Sequence, residues 1–532
     1  MIRHDLSLSR RAVLSGAAGL VIALHLPLRA ARPQSAAPSF APNAFVRVGS
    51  DDTVTVLVKH LEFGQGPLTG LATLVAEELD ADWSQMRAEH APYNPELYKN
   101  LEFSRLAKVD VQGTGSSTAI ANSYEQMRQA GAMARAMLVA AAAREWHVPA
   151  AEIAVEKGVL RHAGSGAEGR FGAFAAAAAK LPPLDPASVK LKDPADFRLI
   201  GREGAVEKLD VPDKTNGKAQ YTIDIREPYM LTVVVAHPPR FGGEVASFDA
   251  TKALAVPGVV DVKQVPTGLA VYAHGTWPAI KARRMLDITW DDAAAEKRSS
   301  EEIIEEYRAL ARTPGAVAAS HGDPEAAFRD AERVIEAEYV FPYLAHAPME
   351  PLDGYLRWDG DRAKARLGSQ IPTGDQYAIA MTLEIDPNNV EIDSMLAGGS
   401  FGRRGEVMSD FAAELAEIAK AAGPGRPVKL VWTREDDIQG GRYRPIFVHR
   451  LRGSIKNRKI TGWTDTVVGQ SFIKDTPGEA FGYRDGIDQL MVEGASALRY
   501  RIPDFRCDLH IAEVGVPVLA MRSVGHTHTG YA

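Results

Sequence analysis

The stretch VEIDSMLAGGSFGRRGEVMSDFAAELAEIAKAAG, residues 390–423, decides the fold. An apolar strand ends in Gly398-Gly399-Ser400-Phe401-Gly402-Arg403-Arg404, and a long helix with apolar residues three and four apart follows. Strand, glycine loop and helix in that order place the chain in a class that packs helix layers on sheets. The loop itself has two readings. Orphan N–H groups and the dipole at a helix start favour an anion, phosphate above all, with the arginines beside it. The alternative is a plain strand-to-helix turn carrying two solvated arginines.

Two further loops share its character. GQGPLTG (residues 64–70) precedes a helix and offers Gln65, an amide that both donates and accepts, beside Gly66. GTGSST (residues 113–118) precedes a helix and offers Gly115, Ser116 and Ser117, with hydroxyls and free N–H groups. Three such loops suit a large, polar, phosphate-bearing cofactor held at several points. None matches GxxxxGK[ST] or a GxGxxG opening a Rossmann unit, so ATP and NAD are poor fits.

Around these loops the pattern is α+β and multi-domain. Residues 53–59 (TVTVLVK) alternate as a strand, and LATLVAEELDADW has helical spacing. An alanine-rich helix runs to Trp146, and AEIAVEKGVLRHAG reads as a hairpin. From residue 197 short strands, YTIDI among them, interleave with short helices. The charged stretch 291–322 reads as a linker helix and loop with a solvated face. The expected divisions are 1–38, 39–195, 196–310 and 311–532.

A chain of 532 residues has ample core, and its net charge of −7 argues against nucleic acid as a partner. Ser9-Arg10-Arg11 before GAAGLVIALHLPL reads as a twin-arginine export signal, too short to span a bilayer, so residues 1–38 predict a periplasmic destination. The single cysteine, Cys507, cannot hold an iron–sulfur cluster and reads as a buried structural residue. His526 and His528 lack a third ligand in reach, and HExxH is absent.

HLEFGQGPLTG, QGTGSST, AHAPMEP (residues 345–351), GSQIPTGDQ (residues 368–376), AGGSFGRR and VPVLAMRSVGHTHTGYA together resemble motifs of the xanthine dehydrogenase/aldehyde oxidase family. Within it the chain is similar to molybdenum-binding subunits of the isoquinoline 1-oxidoreductase type, from about residue 42 to the end. The resemblance implies a molybdopterin cofactor in the cytosine dinucleotide form common in bacteria, its molybdenum held by the dithiolene and by no side chain here. It implies that Gln370 sits beside the molybdenum and that Arg522 lies near substrate and cofactor. It implies that Gly399, Ser400, Phe401, Gly402 and Arg403 line the pterin loop. Gln65, Gly66, Gly115, Ser116 and Ser117 would hold the pterin or its pyrophosphate, and 196–310 would be an α/β hammerhead domain.

The implied reaction hydroxylates an N-heteroaromatic or aldehyde with oxygen from water. Electrons would leave through a small [2Fe–2S] subunit, with a cytochrome c as a further acceptor. The family's base is a glutamate in a Gly-Glu-Pro context farther toward the C-terminus. No match to it stands here: either a second cofactor-binding half lies outside this sequence or on a separate chain, or the chain is a non-catalytic extracytoplasmic remnant or binding protein that keeps the fold. Glu406, at a helix start, reads as a dipole partner and not as that base.

Overall fold

The structure, a computed structural model, describes residues 39–182 and 184–532. The export-signal reading of residues 1–38 lies outside the described residues. Among those described, no helix is long and apolar enough to cross a membrane.

Three β-layers organise the chain. Ser39–Asn43, Val46–Gly49, Val54–Val58 and Met86–His90 form a four-stranded sheet in that order. The helices Pro67–Leu79 and Tyr124–Trp146 cover it, with Leu71, Val75 and Leu79 meeting Met127, Ala134 and Met137 in one buried cluster. At Gly131 a Cβ would lie 2.6 Å from the Val75 carbonyl oxygen. The alanine- and glycine-rich composition of the second helix thus lets two helix backbones approach closely.

A seven-stranded sheet follows the order Val259–Val265, Gly268–Ala273, Leu231–Ala236, Val428–Val431, Asp353–Trp358, Ala363–Leu367, Val390–Ser394. The helices Pro372–Leu383 and Asp410–Ala422 bury Ile379, Phe411, Leu415 and Ile418 on one face of it. Ala253, Ala279 and Ala282 pack against Val234 and Val271 on the other. The third layer is a five-stranded sheet in the order Ala316–His321, Asp504–Ile511, Lys459–Gly469, Phe447–Lys456, Arg333–Phe341. The mixed α and β class expected from the strand–loop–helix pattern is the class observed.

Three local readings differ from the structure. YTIDI forms no strand; Thr222–Asp224 is a single 3-10 turn. The stretch read as a solvated linker contains the helix Ser300–Ala311, which buries Ile303, Tyr307 and Ala311 against Ile446, Val448 and Val468. It also contains the strand Ala316–His321, paired with Asp504–Ile511. Small residues such as AVAASH carry no periodic signal, and their partner strand lies far along the chain.

The seven-stranded sheet also runs across the division expected at 310. Leu231–Val233 pairs in parallel with Val428–Leu430. Segment 196–310 therefore shares its sheet with the segment that carries the glycine loop.

Candidate functional site

Gln370 ends the strand-to-helix connection before Pro372–Leu383, and it ties the loops together. Its Nε2 donates to the Thr114 carbonyl at 2.8 Å, and its Oε1 accepts from the Ser400 hydroxyl. Its own backbone carbonyl accepts from Thr114 N at 2.7 Å, and its N–H donates to Arg404 O at 3.3 Å. Thr114 Oγ1 in turn accepts from Leu61 N at 2.9 Å, and Glu62 O accepts from Ala397 N at 3.1 Å. The three glycine loops, far apart in sequence, thus meet at one buried junction. Gln370 is 6% exposed, and one amide N–H is left over after these bonds.

Neither reading of the arginines at 403 and 404 describes what they do. Both are buried, and both point inward. Arg403 donates to both oxygens of Asp410 at 2.9 Å, and its guanidinium lies over the Trp432 ring. Burial alone would raise Asp410, but Arg403 and Arg442 outweigh it and bring the carboxyl down to about 2. Arg404 reaches the carbonyls of Gly399, Glu350 and Pro351 and the Glu350 carboxylate at 3.2 Å. The partner carboxylates at 350 and 410 are scattered in sequence, and so burial was invisible there.

Glycine geometry explains the loop's composition. Gly399 and Gly402 have φ of 102° and 112°, which favours glycine. Phe401 adopts φ 55° and is 41% exposed, its ring outward. Its carbonyl accepts from Arg522 N at 2.7 Å, which brings the sixth sequence motif to the loop. The Arg522 side chain is exposed and makes no ion pair among the described residues.

The first loop differs from expectation in one respect. The N–H groups of Gly64, Gly66 and Leu68 donate to the Glu62 carboxylate at 2.7, 3.3 and 3.3 Å. An anion does sit at this helix start, and it is the chain's own. Gln65 folds back as well, giving Nε2 to Leu61 O and taking Phe63 N on Oε1. Sequence reading missed Glu62, although a glutamate four residues before the glycine that starts the helix is a visible signal. In the second loop Ser116 and Ser117 stand at φ 50° and 54° with exposed hydroxyls that make no bond among the described residues. Gly115 precedes them, its carbonyl taken by Thr118.

Other candidates resolve by contact. Glu406 accepts from Met408 N at 3.0 Å and Asp410 N at 3.2 Å, so it caps the helix start. His346 is buried with its ring nitrogens 3.1 and 3.2 Å from the Arg442 and Ala520 carbonyls, and burial brings it down to about 4. His528 is buried on Phe447 and bonds His449 at 2.8 Å, while His526 is exposed. No group of three or more His, Cys, Asp or Glu among the described residues could hold a metal ion. Cys507 is buried, and burial pushes its thiol well up. Asp375, in the first turn after Gln370, is pushed up to about 7 by burial, against the Ser369 and Ser409 hydroxyls that lower it.

Comparison with known proteins adds identity to this geometry. Residues 17–222 and 310–532 each match a family model described as a molybdopterin cofactor-binding domain. The chain is 31% identical to isoquinoline 1-oxidoreductase subunit beta of Brevundimonas diminuta, over all of this chain and 73% of that one. It is 29% identical to a membrane-bound aldehyde dehydrogenase (pyrroloquinoline-quinone) of Gluconacetobacter polyoxogenes, over 95% of this chain and 66% of that one. Among solved structures, quinoline 2-oxidoreductase from Pseudomonas putida 86 aligns with TM-score 0.48 and 16% identity, over 59% of this chain and 45% of that one. The chain thus spans about two thirds to three quarters of the two curated relatives. With two cofactor-binding matches and a full-length relative above 30% identity, it belongs to the xanthine dehydrogenase/aldehyde oxidase family of molybdopterin-binding oxidoreductases.

Proposed function

We propose that this chain is the molybdenum-binding subunit of an exported oxidoreductase that hydroxylates an N-heteroaromatic or aldehyde carbon. One observation carries the reading: three glycine loops and the Arg522 segment converge on Gln370 and Phe401 through buried hydrogen bonds. The groups still free around that junction fit a phosphate-bearing pterin. They are the Ser116 and Ser117 hydroxyls, the remaining Gln370 N–H and the unpaired Arg522 guanidinium. When bound, the molybdopterin centre, in its cytosine dinucleotide form, supplies oxygen transfer from water and accepts two electrons.

The chain's own residues have separate tasks. Arg522 offers a full positive charge to a phosphate or to developing negative charge. Phe401, whose carbonyl holds the Arg522 backbone, presents an exposed apolar ring, and Ser116 and Ser117 would donate to phosphate oxygens. Gln370 fixes the spacing of the loops and keeps one N–H for the bound group. Glu406, committed to a helix cap, is not assigned as the catalytic carboxylate. Electrons are assigned to a separate [2Fe–2S] subunit and onward to a cytochrome c, and export to the twin-arginine pattern at Arg10 and Arg11.

The test is molybdenum per chain, by elemental mass spectrometry, on protein purified from its own host. The expected result is about one atom per chain in wild type, with most of it lost in Gln370→Ala and none lost in Cys507→Ser. A folded wild-type chain from a molybdenum-replete host that carries no molybdenum sinks the proposal.

A further inference from the structure

Beneath the 398–404 loop two carboxyl groups and one guanidinium are shut off from water. Glu350 is 8% exposed, Asp353 1% and Arg404 1%. Arg404 Nη2 lies 3.2 Å from Glu350 Oε2, and its Nη1 lies 3.6 Å from Asp353 Oδ1. Glu350 Oε2 also accepts from Gly398 N at 2.7 Å. The remaining three oxygens, Glu350 Oε1 and both of Asp353, receive no hydrogen bond among the described residues. The two carboxyl groups lie against the same guanidinium, and each feels the other.

The donor count decides the protonation state. With both carboxyls ionised, the site would bury two neighbouring carboxylates and three acceptors without a donor. Either defect is expensive in a dry interior. A single proton between the two groups removes both, because it supplies the missing donor and leaves one carboxylate for one guanidinium. Asp353 is the group that carries it. Glu350 already has Gly398 N–H and Arg404 to stabilise its charge, whereas Asp353 has neither bond.

No charged neighbour supplies the missing hydrogen bond to Asp353. Lys429, on the adjacent strand, has its ammonium committed to the Ile223 and Ile225 carbonyls at 2.7 and 3.0 Å. Tyr221 lies toward Glu350 and Asp437 toward Arg404, and neither adds a positive charge. Burial, the largest influence, pushes Asp353 well up; Arg404 opposes it and Glu350 reinforces it.

We propose that Asp353 is protonated and offers its proton to Glu350, and that this proton holds the glycine loop in place. Glu350 grips Gly398 from both sides, through the carboxylate and through its own N–H donating to Gly398 O at 3.0 Å. Ionisation of the pair sets two negative charges against each other directly under that grip. The loop then loosens as pH rises. Glu350 and Asp353 are positioning residues in this scheme, and the scheme does not depend on which ligand the loop serves.

The test needs only the full chain. Infrared difference spectra between wild type and Asp353→Asn are expected to show, at neutral pH, a protonated-carboxyl C=O band lost in the variant. Hydrogen-exchange protection of the 398–404 amides, corrected for intrinsic rates, is expected to fall with rising pH in wild type and to stay level in Asp353→Asn. Glu350→Gln provides the second arm. Removing its negative charge leaves Asp353 beside Arg404 alone, and the band is expected to vanish although Asp353 is still present. A purely structural role for Asp353 predicts no such loss. No band difference between wild type and Asp353→Asn, a band that survives Glu350→Gln, or a wild-type protection profile flat with pH overturns the proposal. None of these readouts involves molybdenum, so they stand apart from the functional test.

Discussion

At the residue scale the junction depends on atoms that have no substitute. A Cβ on Gly402 would lie 2.5 Å from the Ala520 carbonyl oxygen, at φ 112°. Gly402→Ala is expected to cost about 2–4 kcal/mol from backbone strain plus overpacking, read from urea unfolding. A loss below about 0.5 kcal/mol would mean the Ala520 segment yields freely. Gln370→Ala strands the Thr114 carbonyl and the Ser400 hydroxyl, and about 2–4 kcal/mol is expected by the same assay. Glycines at 399 and 402 were legible from the sequence because turns need them. The fate of Arg403 and Arg404 was not, since adjacent arginines look alike whether solvated or buried. Only Asp410, seven residues on, and Glu350, far upstream, distinguish the two, and neither is a periodic signal.

At the element scale the helix Asp410–Ala422 is bound to segment 196–310 by one buried ion pair. His237 Nε2 lies 2.6 Å from Glu414 Oε1, and Glu414 also accepts from Thr267 and Trp432. Burial alone would lower His237, but the Glu414 carboxylate outweighs it and raises the ring. Burial likewise works against Glu414, and His237 with its other donors still lowers it. The sign follows for each. His237 contributes fully below its ordinary value of 6.5, and the contribution is lost as pH rises through its raised folded value. Glu414 contributes above 4.5 and loses this as pH falls through its lowered value. Glu414→Gln is expected to lower stability by about 1–3 kcal/mol near pH 6, with the gap closing at alkaline pH where His237 is neutral in wild type. Thermal melts from pH 5 to 9 check this; a gap constant across that range would remove His237 from the account. This pairing was not readable beforehand, because AHPP and an amphipathic helix each look complete alone.

At the scale of the molecule, shared sheets set what can be separated. Because Leu231–Val233 pairs with Val428–Leu430, residues 196–310 expressed alone are expected to lack a cooperative unfolding transition in circular dichroism. A sharp melt of that fragment would show that its three strands of the seven-stranded sheet suffice without Val428–Val431. Acid resistance is also a property of the whole. Burial, the largest cause in each case, lowers His60 to about 3, His346 to about 4 and His528 to about 2. Each stays neutral when folded and takes a proton when unfolded, so stability is expected to fall as pH drops below about 6.5. The slope reaches about 1.4 kcal/mol per pH unit for each group. Urea midpoints from pH 7 down to 4.5 measure it, and a flat profile would mean these rings are accessible. Sheet and helix alternation made the mixed class legible, yet parallel pairing between distant segments left no local trace.

Glu62 in the first loop has a consequence for binding. Its carboxylate already satisfies the N–H groups of Gly64, Gly66 and Leu68, so that loop has little ordering entropy left to lose. The loop keeps its shape with its own carboxylate in place, and any ligand that reaches it meets a fixed surface whose three N–H donors are already taken.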